Sequence, residues 1–215
     1  QVIEIVALAN STLTPIVPSG GRTGYSGGSV AKNQEIVVSL EKMNRIVDFN
    51  PKDKTITCEP GVTTKAIQSF ASKNNFFYPV DFASSGSSQI GGNIATNAGG
   101  IKVIRYGLTR NWVYGLKVVT GNGDFLDLNY GLIKNASGYD LRHLFIGSEG
   151  TLGIITEVTL KLITPPKETR VMLLALPNID YITDILEKFS TTLTVTAFEF
   201  FTEAAIQQVI SATKL

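Results

Sequence analysis

The apolar positions change period along this chain, and each change marks an expected element. Val2, Ile5, Val6 and Ala9 recur at helical spacing, predicting an amphipathic helix over residues 2–10 that Asn10 ends. Short apolar runs at 15–17, 35–39, 45–49 and 55–59 predict four short strands. Residues 40–44 suit a helical turn, and the Asn-Pro-Lys-Asp stretch at 50–53 suits a tight one. Pro60-Gly61 stops the fourth strand, and Thr63 is placed to cap a helix from Thr64 to about Asn74. Its apolar face would carry Ala66, Ile67, Phe70 and Ala71. Further on, strands at 113–120 and 124–128 flank Gly121-Asn122-Gly123, a hairpin signal. Residues 139–145 read as helix, and 154–163 alternate as a strand. Thr164-Pro-Pro-Lys167 is the linker candidate, so residues 1–165 and 166–215 are expected to be two units. In the second, 171–176, 179–189, 194–201 and 203–212 read as strand, helix, strand, helix. The first helix has no N-cap before it and the last has no C-cap after it, so a piece of a longer protein is expected.

Three glycine-rich segments interrupt this pattern: 18–28, 86–100 and 147–153. The first, Pro18-Ser-Gly-Gly-Arg-Thr-Gly-Tyr-Ser-Gly-Gly28, follows a strand end directly. Without Cβ atoms, successive backbone N–H groups can converge on an anion there. A dinucleotide site of the G-x-G-x-x-G type needs a long helix next, but a strand over 35–39 comes instead. The G-x-x-x-x-G-K-[ST] pattern is absent too. Any anion must therefore be met by backbone amides, with Arg22 and the Ser19, Thr23 and Ser26 hydroxyls beside them. Each segment taken alone also reads as a tight turn. The irregular stretch from Tyr78 to Gly100 is long for a compact domain, which favours a functional role.

Composition narrows the function classes. The 215 residues carry 19 Lys+Arg against 18 Asp+Glu, which gives no electrostatic case for nucleic acid. No apolar run approaches the length of a membrane span. A single cysteine, Cys58, fits a reducing, cytoplasmic setting, and its strand-like surroundings suit a buried structural thiol. With one histidine, His143, and no His/Cys/acid cluster, no metal site is expected. His143 reads as structural or exposed, and no catalytic residue is assigned. Arg105 and Lys134 are cations that suit either a substrate-facing or a plain surface role.

In combination the segments carry a resemblance. P-S-G-G-R-T-G-Y-S-G-G at 18–28 is followed by P-V-D-F-A-S-S-G-S-S-Q-I-G-G-N-I-A-T-N-A-G-G at 79–100. R-Y-G at 105–107, G-Y-D-L at 138–141 and F-I-G-S-E-G-T-L-G-I-I-T at 145–156 complete the order. Residues 1–165 so marked resemble the FAD-binding domain of the vanillyl-alcohol oxidase/p-cresol methylhydroxylase superfamily, in its D-2-hydroxyacid dehydrogenase branch. The resemblance implies an α+β fold of two subdomains, one with a few parallel strands and one antiparallel, with FAD between them and the start of an α+β cap domain beyond. It implies that Pro18, Gly20, Gly21, Arg22, Thr23, Gly24 and Ser26 hold the diphosphate. Pro79, Asp81, Ser84, Gly91, Gly92, Asn93, Thr96 and Asn97 would line the ribityl chain, diphosphate and flavin edge, with Gly99 and Gly100 letting the backbone pass close. Glu149, Gly150, Gly153, Ile154 and Ile155 would lie near the adenine and flavin rings. Some relatives attach FAD through a histidine or cysteine in these loops. The loops here contain neither, so non-covalent FAD is expected.

The implied reaction oxidises a D-2-hydroxy acid to the 2-keto acid by hydride transfer to flavin N5, with a separate electron acceptor. The base and the carboxylate-holding cation would come from the cap. A sister branch (sugar-lactone oxidase or ether-lipid synthase type) and a non-catalytic FAD-binding module are the alternatives.

Overall fold

The computed structural model describes residues 1–128 and 135–213. Lys134 lies outside them. The fold is α+β and holds two sheets. Helix α1 (Val2–Thr12) leads into a two-stranded parallel sheet, β1 (Ile16–Ser19) beside β2 (Ile36–Ser39). Parallel neighbours need a long connection. Here it is the glycine segment, with no helix inside it. Leu13, in the left-handed region at φ 53°, ends α1, later than the expected stop at Asn10. Residues 40–44 form a hydrogen-bonded turn, Met43 N–H to Leu40 O at 2.9 Å, rather than the expected helical turn.

The second sheet has five strands in the order β3-β4-β7-β5-β6, all antiparallel: β3 (Ile46–Asn50), β4 (Thr55–Cys58), β5 (Val113–Thr120), β6 (Phe125–Asp127) and β7 (Gly153–Lys161). The Gly121–Gly123 hairpin forms as expected, with Thr120 N–H donating to Asp124 O at 2.9 Å. Central strand β7 buries residues on both faces, Ile154 and Ile155 alike, so its alternation in sequence exceeds its alternation in burial. Helix α2 (Thr64–Lys73) packs Thr64, Ile67 and Ala71 inward, while Ala66, expected on that face, is exposed. Thr63 caps it as predicted, accepting from Ala66 N–H at 3.2 Å.

Two apolar clusters hold the layers. The larger joins α2 and the five-stranded sheet around Ile56, Ile67, Leu116, Val158 and Leu160. It includes Cys58, whose thiol burial pushes up to about 12, an unreactive thiol. The smaller joins the two sheets: Val6 of α1 and Val38 and Leu40 at β2 meet Val119 of β5 and Ile154 of β7. Removing a branched side chain from such a cluster costs about 2–5 kcal/mol.

Three further expectations change. The stretch 78–100 is not wholly irregular, because Ile90–Ala95 forms helix α3 despite its glycine pair. Gly91 N–H donates to Pro60 O at 2.8 Å, and a Cβ on Gly91 would sit 2.6 Å from the Pro60 ring. The glycine is there so that helix and Pro60 can touch. Val103–Tyr106 forms a further short helix, α4. Of the expected 139–145 helix only Arg142–Phe145 (α5) is helical. Beyond Pro165, α6 (Tyr181–Thr192) and α7 (Glu203–Thr213) form, but 171–176 and 194–201 are not strands. A helix closes its hydrogen bonds within itself, whereas a strand requires a neighbour, and no described residue pairs with these.

Candidate functional site

A cleft of about 450 Å³ opens where the parallel pair faces α3 and the start of β7. All three glycine segments wall it. The first lies against the second so closely that a Cβ on Gly21 would collide with Ser87 O. The third is tied to the second by Gly147 N–H to Ile94 O at 3.0 Å and Glu149 N–H to Ala95 O at 2.8 Å. One non-glycine residue in or beside each segment has left-handed backbone, namely Arg22 (φ 54°), Asn97 (φ 47°) and Glu149 (φ 53°). Such geometry costs about 1–2 kcal/mol at a residue with a Cβ, and it collects at binding loops.

The two walls use their backbone donors differently. Along the second segment Ile90, Gly91 and Asn93 N–H groups donate to Val62, Pro60 and Gln89 carbonyls. Along the first, the N–H groups of Gly21, Arg22, Thr23 and Gly24 have no partner among the described residues. A short run of unpaired amides at a cleft is an anion cradle in the chemical sense. Arg22 is the one cation among the described lining residues, beside Glu149 and Glu199.

Most expected site residues line this cleft: Pro18, Gly20, Gly21, Arg22, Thr23, Gly24, Ser26, Ser84, Gly91, Gly92, Asn93, Thr96, Glu149, Gly150, Gly153, Ile154 and Ile155. Pro79, Asp81, Asn97 and Gly99 do not. Pro79 is buried in the core. Asp81 turns to Lys102 Nζ at 2.9 Å and Gln68 Nε2 at 3.1 Å. Partial burial opposes ionisation of Asp81, but these hydrogen bonds outweigh it and hold its carboxyl below the usual carboxylate range. Asn97 Oδ1 accepts from Arg110 N–H at 3.1 Å, and Gly99 lies over Val103. Within the cleft wall, Asn93 spends its amide on structure. Its Nδ2 donates to Thr64 Oγ1 at 2.7 Å, which pairs with Ser88 Oγ at 2.8 Å, all buried. The Thr96 hydroxyl turns back to Gly92 O at 2.9 Å.

Residues without a motif of their own also shape the site. Leu40, Phe82, Ile101 and Gln89 line it. Arg110 braces the third segment from behind, donating to Ile146 O at 2.7 Å and to His143 Nδ1 at 2.7 Å. Because a guanidinium only donates, His143 carries its proton on Nε2, 3.4 Å from Asp140 Oδ2. Hydrogen bonds from Arg142 lead in holding the Asp140 carboxyl below its usual range. His143 is thus a structural link outside the cleft, and Arg105 is exposed and does not line it. Among the described residues no group of three or more His, Cys, Asp or Glu is arranged to hold a metal.

A family model described as "FAD binding domain" matches residues 1–129. The chain belongs to that family. FAD is accordingly its cofactor, and the branch expected from the glycine segments is the one its relatives populate. D-2-hydroxyglutarate dehydrogenase of Stutzerimonas stutzeri (strain A1501) is 57% identical over 210 residues, 98% of this chain and 45% of that protein. Glycolate oxidase subunit GlcD of Bacillus subtilis (strain 168) is 39% identical over 180 residues, 84% of this chain and 38% of that protein. Among solved structures, an alkyldihydroxyacetonephosphate synthase superposes with a TM-score of 0.73 at 25% identity, over 89% of this chain and 35% of that one. The FAD-domain chain thus spans less than half the length of these relatives.

Proposed function

We propose that the cleft holds FAD non-covalently and that the protein oxidises a D-2-hydroxy acid to its 2-keto acid. The observation that carries the reading is the run of unpaired N–H groups at Gly21–Gly24, walled by glycine segments and backed by one cation. A diphosphate fits that donor set. Pro18, Gly20 and Ser26 flank the cradle, while Ile154 and Ile155 supply an apolar floor suited to a planar ring. FAD supplies the hydride acceptor, flavin N5. The chain's own residues bind and orient it: the amides fix the diphosphate, and Gly91 and Asn93 hold the second wall rigid. No histidine or cysteine lines the cleft, since His143 and Cys58, the single copies of each, sit elsewhere. That supports non-covalent attachment. An unpaired thiol fits a reducing compartment, so cytoplasmic placement is part of this reading. No helix among the described residues is long and apolar enough to cross a membrane.

Residues 1–165 form the cofactor unit in this reading, and those from 166 onward begin a substrate-facing unit. The substrate class rests on the relatives' names, and 57% identity to a D-2-hydroxyglutarate dehydrogenase puts that acid first on the panel. The test is anaerobic titration of the flavin-loaded, full-length protein with D- and L-2-hydroxy acids. Bleaching of the oxidised flavin bands by a D-isomer is expected. Bound flavin that no D-isomer bleaches would overturn the dehydrogenase reading in favour of a sister reaction or a non-catalytic module.

A further inference from the structure

Gln89 immediately precedes α3, and its backbone is fixed on both sides. It bridges to Thr63, and its carbonyl accepts from Asn93 N–H at 3.0 Å. Its side chain is left over. It does not cap α3, although it stands at the capping position. The residue is 8% exposed, and its Oε1 is sealed with no hydrogen-bond partner. The carboxamide lies against Gly20, where a Cβ would sit 3.4 Å from Oε1. Nε2, also without a partner among the described residues, is not sealed in this way, and Gln89 lines the cleft. The sealed Oε1 is an acceptor that an anion cannot complete, so the group a ligand in the cleft can meet is the free Nε2 donor.

From this we infer that Gln89 is a ligand-contacting residue whose Nε2 donates to a diphosphate oxygen of the cofactor, beside the Gly21–Gly24 amides. The inference rests on the FAD reading above. Its logic is electrostatic. With Arg22 the one cation among the described lining residues and two carboxylates nearby, neutral donors must carry much of the diphosphate charge. A glutamine at the junction of the first two segments adds such a donor without adding the hydration of a lysine.

The experiment measures dissociation constants of the apo-protein for FAD, ADP and riboflavin by flavin fluorescence and calorimetry, in the parent, Gln89→Leu and Gln89→Glu. Loss of a donor to a charged oxygen weakens FAD and ADP about tenfold to a hundredfold in Gln89→Leu. Gln89→Glu, which sets a carboxylate against the diphosphate, weakens both further, while riboflavin binding stays as in the parent. Equal or tighter FAD binding by Gln89→Glu, or an unchanged constant in Gln89→Leu, overturns the inference. So does a loss shared by riboflavin, the mark of a contact to the polyol chain or of a general collapse. A parent that binds none of the three overturns the FAD reading itself, and unchanged thermal melting of the variants separates lost contact from lost fold.

Discussion

The two facing walls of the cleft are made of similar residues and behave in opposite ways. Segment 84–97 is rich in glycine and serine, as is segment 18–28. In the former these groups are satisfied by neighbours outside the segment: Gly91 by Pro60, Asn93 by Thr64, Ser88 by Thr64. In the latter the amides of Gly21–Gly24 have no partner among the described residues, and Tyr25 is fully exposed. Composition therefore does not decide whether a polar, glycine-rich stretch becomes scaffold or receptor. What decides is whether a second element stands within hydrogen-bonding reach. Pro60 and α2 stand behind the first of these walls. Ser87 packs against the other at Gly21, but no described element takes up its amides.

The most damaging change to this arrangement is at Gly21. In Gly21→Val the side chain collides with the Ser87 carbonyl, so the receptor wall must move off the scaffold wall. We expect FAD binding to fall at least about a hundredfold, read as loss of flavin absorbance after gel filtration. Thr64→Val acts on the scaffold alone. It leaves the buried Asn93 Nδ2 without its acceptor, and should cost about 1–3 kcal/mol of stability, measured by denaturant unfolding. FAD affinity should change by less than about threefold. A Thr64→Val protein that keeps its stability but loses FAD would erase the distinction between the walls.

The smallest effect is on acid stability. Hydrogen bonds from Arg45, 2.7 Å from Nη2 and 2.8 Å from its N–H, hold the Glu59 carboxyl low, just ahead of Pro60 at the back of the scaffold wall. A carboxyl lowered by folding stabilises the native state fully above its unfolded value, about 4. That stabilisation disappears as pH falls through the lower folded value. Melting temperature should therefore drop below about pH 4, and Glu59→Gln should melt lower than the parent at pH 7 and show a shallower drop. Equal melting curves across that range would remove Glu59 from the scaffold.

Much of the fold and of the cleft was legible in the sequence because it rests on local signals. Thr63 caps α2 by its own hydroxyl, Gly121–Gly123 turns by its own backbone, and the absence of a helix after Gly28 follows from the strand at 36–39. The misreadings share one cause, a dependence on distant partners. The apolar run 171–176 has strand character, but no described neighbour pairs with it. Gly91-Gly92 opposes helix by propensity, and Pro60 packing overrides it. Asp81 sits inside a binding motif, yet Lys102 turns it away. Gln89 and Arg110 drew no notice because nothing local marks them. Gln89 matters for its position against Gly20, and Arg110 for reaching Asn97, His143 and Ile146 at once.

Strand β7 places neighbouring residues in different cores. Ile154 belongs to the small cluster that welds the sheets together, and Ile155 to the large one under α2, while both line the cleft floor. Neither core can loosen without disturbing that floor, and a molecule seated on it touches both. The two layers should therefore melt in a single cooperative transition, and a bound ligand should shift that transition as a whole rather than protect one layer.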